Sequence, residues 1–168
     1  MRESVNTQKM THTLKYIGII LLFVIFGFLT RGNFYDISFS KLDLYQAQIQ
    51  NQLITSQFLN HLLFSLFVGS IPLLYFIVKK IRNLSFMYHG LISYLIIVSC
   101  GILFWQLRIL KLNIEFKKLS EFSYPNGVNP LIDLTNLRLE SYLLLGFIVG
   151  TMLSIFIFKN KRAGNRNV

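Results

Sequence analysis

Four uninterrupted apolar runs divide the chain: Tyr16 to Thr30, Phe58 to Val78, Leu91 to Leu110 and Tyr142 to Phe158. Each run is continuous rather than alternating, so each predicts a helix buried on all sides, not a strand of a barrel. The last three hold 21, 20 and 17 residues, enough to cross a hydrocarbon core of about 30 Å with modest tilt. The first is shorter, but Lys15 can extend its ammonium to the headgroups and let Thr11 to Leu14 join the helix. The predicted spans are therefore residues 14–30, 58–78, 89–110 and 142–158, joined by long connections at 31–57 and 111–141 and a short one between the second and third.

The long connections carry patterns of their own. Ser40 followed by Asp43 resembles a capping box, and Leu42, Tyr45, Ile49 and Leu53 then recur at helical spacing among glutamines. This predicts an amphipathic helix on the membrane surface or a helical extension of the second span. In the other connection Pro125-Asn126-Gly127 and Asn129-Pro130 are turn signals, so 111–141 reads as a turn-rich cap. The fold expected is all-α: a four-helix transmembrane bundle forming one membrane domain over 1–168, with an outer amphipathic helix and a turn-rich outer loop. A chain of 168 residues that is 53% hydrophobic and 14% charged has no length left for a separate soluble domain.

Charge fixes the orientation expected. Segments 1–15, 79–90 and 159–168 hold ten basic residues against Glu3 alone. The other seven basic residues, Arg108 within the third run among them, face six acidic ones. Short Lys- and Arg-rich loops stay on the cytoplasmic side of an energised membrane. Both termini and the 79–90 loop are thus expected in the cytoplasm, in an inner or plasma membrane protein whose connections 31–57 and 111–141 face outward. The net charge of +10 lies beside span ends, where anionic lipid is the available partner, so nucleic-acid binding is not expected. Phe28-Leu29-Thr30-Arg31-Gly32 offers no small-x-small cleavage site, and the first run reads as a retained anchor.

Two groups of residues stand out as candidate sites. Gly146, Gly150 and Ser154 recur every fourth residue in the last span, with a weaker counterpart in Ser65 and Gly69 ahead of Pro72. Such stripes let helices approach closely, either within the bundle or against a separate membrane protein. The second group follows from topology: Arg31, Asp36, Asn60, His61, Gln106, Arg108, Arg138 and Glu140 should gather as a polar ring at one boundary of the bundle. Ionisable groups at that depth are kept where they face protein, water or each other. The ring can bind a headgroup, a peptide or a partner, or simply snorkel to the interface.

Catalytic chemistry finds little purchase. Cys100 cannot form an intramolecular disulfide as the single cysteine, and it falls eight residues below Arg108, about 12 Å at helical rise, far from His61. His61 and His89 fall at opposite faces, which excludes paired axial ligation of a haem. None of the runs contains Asp or Glu, the usual carrier of proton-coupled transport. No metal site and no cofactor are expected.

An Arg followed by Phe34-Tyr35-Asp36 after the first span, Gln57-Phe58-Leu59-Asn60 opening the second, and Leu74-Tyr75-Phe76 before Lys79-Lys80 form a recognisable order. With Tyr94-Leu95-Ile96 in the third span and Arg138 before the last, this order resembles the exosortase F system-associated family of small Bacteroidetes membrane proteins. Asn136-Leu137-Arg138-Leu139-Glu140 departs from the paired arginines and Gln-Pro step of that family. The resemblance implies a non-enzymatic accessory of a protein-sorting transpeptidase system. The function expected is therefore a non-catalytic accessory or structural subunit that contacts lipid and another multipass membrane protein. The alternative is a small four-pass transporter or channel with the polar ring as its outer vestibule.

Overall fold

The computed structural model describes residues 2–43, 48–50, 54–82, 88–121, 131–133 and 137–159. Four helices dominate: α1 (Arg2–Ser40), α2 (Ile54–Arg82), α3 (His89–Ser120) and α4 (Leu139–Ile157). All four are long and apolar enough to cross a membrane, and together they form the four-helix bundle of a multipass membrane protein. The turn signals at Pro125-Asn126-Gly127 and Asn129-Pro130 lie outside the described residues.

Helix α4 is the ruler of the bundle. Its 19 residues give a length of about 28 Å at 1.5 Å per residue, a close match to a hydrocarbon core. It begins directly after Arg138 and ends before Lys159. The rings of His89 and Phe158 lie 5.6 Å apart, which sets the start of α3 level with the end of α4. At the other end Arg108 Nε donates to the Leu137 carbonyl at 2.9 Å. The membrane part of α3 is thus 89–108, and the twelve residues from Ile109 to Ser120 carry the helix about 18 Å further. The sequence boundary at Leu110 marks where the hydrophobic run stops, whereas the helix itself continues on Leu112 and Phe116, both buried.

The first span also exceeds its predicted limit. Helix α1 continues unbroken through Arg31 to Ser40, because no Pro interrupts it and Phe34, Tyr35 and Phe39 pack against the core. Ser40 therefore closes a helix where the sequence suggested that it opened one. Its hydroxyl donates to the Ile37 carbonyl at 2.9 Å, and Lys41 and Leu42 turn back onto Ser38 and Phe39. The outer amphipathic helix is likewise corrected at Gln48–Gln50, which form a strand, β1. This strand pairs in parallel with β2 (Leu131–Asp133), Gln48 opposite Leu131, Ile49 opposite Ile132 and Gln50 opposite Asp133. Helical periodicity over so short and glutamine-rich a stretch did not outweigh a ladder joining the two long connections.

Small residues bring the helices together as two pairs, α1 with α2 and α3 with α4. In lipid the tails are as apolar as leucine, so close packing must supply what water exclusion cannot. Gly146 and Gly150 lie directly on the α3 backbone: a Cβ on Gly146 would stand 2.5 Å from the Cys100 carbonyl oxygen and 2.7 Å from Gly101 Cα, and one on Gly150 2.8 Å from Ile97 Cα. Ser154 is fully buried and donates to the Ser93 carbonyl at 3.4 Å. On the other pair, Gly27 of α1 meets Ser65 and Val68 of α2, and Gly69 meets Val24. Both small-residue stripes are therefore seams inside this chain, and the partner surface proposed for them by the sequence is already occupied.

A methyl group added at the tighter seam should be felt throughout the bundle. Gly146→Ala forces the two backbones apart and is expected to destabilise by about 1–3 kcal/mol, the usual penalty of overpacking. Gly18→Ala, where a Cβ meets nothing within 4 Å, should leave stability within about 0.5 kcal/mol. Thermal unfolding in detergent measures both, and equal melting temperatures for the two variants would contradict this packing.

Candidate functional site

Polar residues collect at the end of the bundle where α1 and α3 finish and α2 and α4 begin. Trp105 of α3 donates through Nε1 to Ser38 Oγ at 3.0 Å, which places Ser38 three residues on the membrane side of the Arg108 level. Arg31 lies seven residues before Ser38, and so about 10 Å deeper along α1. The sequence placed Arg31 at the boundary because the apolar run stopped at Thr30. The structure brings its guanidinium to the head of α4, mostly buried, where an unpaired charge is costly.

Arg31 is compensated from α4. Its Nε lies 4.0 Å from Glu140 Oε1, ion-pair range though beyond a hydrogen bond, and both side chains are mostly buried, at 12% and 16% exposure. The same carboxylate oxygen accepts a short hydrogen bond from the Tyr35 hydroxyl. The Arg31 guanidinium also stacks on the Tyr35 ring, 4.6 Å from its centroid. Arg31 and Tyr35 are four residues apart, so a continuous helix presents them on one face to a single acceptor. The sequence reading missed Tyr35 because it ended the helix at residue 30; extending the 31, 35, 38 spacing past that point is the signal that finds it.

Arg108 makes a second node. Besides the Leu137 carbonyl, it reaches Glu115 at 3.7 Å and lies over the Tyr142 ring at 5.2 Å. Its role is to hold the chain entering α4 against α3. Further out, Asn113 grips the end of α1 with both ends of its amide, donating to the Lys41 carbonyl and accepting from the Asp43 N–H, each at 3.1 Å. Lys41 in turn lies over the Trp105 ring at 4.8 Å. Glu115, Asn113 and Tyr142 carry no motif, and only the register of α3 against its neighbours reveals them.

The remaining predicted ring residues divide. Asn60 of α2 and Arg138 and Glu140 at the head of α4 line one cleft of about 450 Å³. Leu63 and Phe67 of α2, with Ser141, Tyr142 and Leu145 of α4, complete it. His61 turns the other way and packs on Phe28 of α1, ring centroids 5.4 Å apart. Its Nδ1 is buried without a hydrogen bond among the described residues. Asp36 and Gln106 are exposed and join no cluster. Gln106 stands among Leu103, Leu107 and Leu110, all more than half exposed.

Between the levels of Arg31 and Ser38 an aromatic layer fills the interior. Phe34 lies 4.8 Å from Phe64 and 5.6 Å from Trp105, centroid to centroid, and Phe64 and Trp105 are buried. Cys100 sits in the α3–α4 seam against Gly146 and Gly150, in a different helix pair from His61. Among the described residues no group of three or more His, Cys, Asp or Glu side chains is arranged to hold a metal ion.

The Glu140 node should be strongly coupled. Glu140→Ala leaves Arg31 buried without its counter-charge and is expected to destabilise by about 3 kcal/mol. Arg31→Ala combined with Glu140→Ala should cost less than the sum of the two single changes, because the second removes the charge stranded by the first. Unfolding of the four proteins in one detergent completes the cycle, and strict additivity would mean that the pair does not interact. No family model matches the chain, and neither a curated protein nor a solved structure is significantly similar to it.

Proposed function

We propose that the chain is a non-catalytic accessory subunit of an inner-membrane protein complex, with both termini in the cytoplasm and the polar end of the bundle facing outward. The observation that carries this reading is the construction of that end. Helix α3 runs about 18 Å past the level of Arg108, and Asn113, Trp105 and the β1–β2 ladder fasten the end of α1 and both long connections around it. Extramembrane structure that ties α1, α3 and both long connections together suits a docking platform better than a reaction centre. Gln106 adds to it: an exposed carboxamide among exposed leucines, close to the Arg108 level, can hydrogen-bond another helix. The resemblance to exosortase F system-associated proteins points to a sorting transpeptidase system as the complex concerned. The transporter reading draws less support, because Phe34, Phe64 and Trp105 fill the interior at the level of the polar cluster.

Orientation and partnership are separately measurable. In a Cys100→Ser background, a membrane-impermeant maleimide applied to intact cells should label Ser120→Cys and spare Lys159→Cys; the reverse pattern would invert the topology. A C-terminally tagged chain, solubilised in mild detergent, should bring down a multipass protein in stoichiometric amount. Gln106→Leu should lower that recovery several-fold with the melting temperature unchanged. A preparation containing this chain alone would remove the accessory reading.

A further inference from the structure

The cleft between α2 and α4 is polar at one end and apolar at the other. Asn60, Arg138, Glu140, Ser141 and Tyr142 stand at the boundary, whereas Leu63, Phe67 and Leu145 lie one to two turns deeper. Leu63 and Leu145 are 40% and 47% exposed, so the lower half opens sideways onto the bilayer rather than into the bundle. Its depth from Asn60 to Phe67 is about 10 Å at helical rise. A phospholipid presents the same division, with a charged phosphate, ester groups beneath it and then methylenes.

Arg138 supplies the specificity. It has φ 50° and ψ 32°, the one non-glycine residue with positive φ among the described residues. Flanking Leu137 and Leu139 are almost wholly buried and the Leu137 carbonyl is held by Arg108, so the backbone has no freedom to relax. Glycine meets that conformation with less strain than arginine. The Arg138 side chain is exposed and makes no capping hydrogen bond to α4, so capping does not explain an arginine here. Strain retained where the fold does not need it marks a side chain kept for what it meets. The one carboxylate of the cleft, Glu140, is already engaged by Tyr35 and Arg31, which leaves Arg138 to set the charge presented to a ligand.

We propose that this cleft holds one anionic phospholipid drawn from the bilayer, its phosphate at Arg138 beside Asn60 and Ser141, and the root of an acyl chain along Leu63, Phe67 and Leu145. The site stands independently of the accessory-subunit reading, since a lipid occupies it whether or not a partner protein is bound.

Native mass spectrometry of the full-length protein, released from micelles containing equal dioleoyl phosphatidylglycerol and dioleoyl phosphatidylcholine, reads the site directly. The expected result is one retained phosphatidylglycerol in preference to phosphatidylcholine. Arg138→Gly, which suits the backbone, should reduce that preference roughly tenfold, the effect of losing one charge-assisted hydrogen bond. Leu145→Trp fills the apolar half and should lower retention of both lipids, with a melting curve confirming that the bundle is intact. Glycerol 1-phosphate in excess should displace nothing. Equal retention of the two lipids, an unchanged preference in Arg138→Gly, or displacement by glycerol 1-phosphate would each overturn the proposal, the last by showing a site for free phosphate.

Discussion

The guanidinium of Arg31 is the constraint around which the rest of the bundle is arranged. It is mostly buried, in surroundings where charge persists only if protein answers it. The answer comes from Glu140 on the farthest helix in sequence, with Tyr35 donating to the same carboxylate. Removing either charge strands the other, so a buried pair of this kind specifies an arrangement more than it stabilises one. What it specifies here is how the head of α4 sits relative to α1. The two close pairs, α1 with α2 and α3 with α4, meet chiefly through α2, which packs on both α4 and α3, while α1 otherwise stands apart from the second pair. The Arg31–Glu140 contact crosses that gap, and Trp105 with Ser38 crosses it again nearby.

Seams and crossing contacts divide the work by physical kind. Within a pair, Gly146 against Gly101 and Gly27 against Ser65 bring backbones close enough for dispersion to act in a solvent that gives no hydrophobic drive. Between the pairs, beside the packing of α2 on α4 and α3, run polar and aromatic contacts: carboxylate with guanidinium, indole with hydroxyl, Phe34 on Trp105. Polar contacts gain strength at low dielectric and are directional, so they can select one docking of the pairs out of several that would pack equally well.

The membrane character of the chain was legible because it depends on composition over about 20 residues, which no tertiary contact can reverse. The seams were legible as spacing, since Gly146, Gly150 and Ser154 fall on one face of any helix, although spacing leaves open whether that face meets the same chain or another. Helix ends were not legible. The apolar run stops at Thr30 because the residues beyond it are charged and aromatic, yet those residues satisfy one another and the helix proceeds to Ser40. Ser40 illustrates the ambiguity locally, for a hydroxyl that can cap the start of a helix can equally donate back to a carbonyl at its end. The β1–β2 ladder was beyond reach for a different reason. It pairs residues about eighty positions apart in three-residue strands, and only the approach of the two long connections creates it.

The polar ring read from topology assumed that residues near one boundary share one function, and the structure separates them by what they face. Arg31, Tyr35 and Glu140 face inward and fix the helix arrangement. Arg108 faces the chain entering α4 and fixes where that helix begins. Arg138 and Gln106 face outward, the first over the α2–α4 cleft and the second over leucines that meet lipid. Residues of the first two kinds are accounted for by folding alone. An exposed arginine in a conformation that glycine would hold more easily, and an exposed carboxamide among leucines, are not accounted for in this way. The proposed partner and lipid sites therefore rest on those two positions, on the outside of α3 and at the head of α4, and not on the buried charges that first draw attention in the sequence.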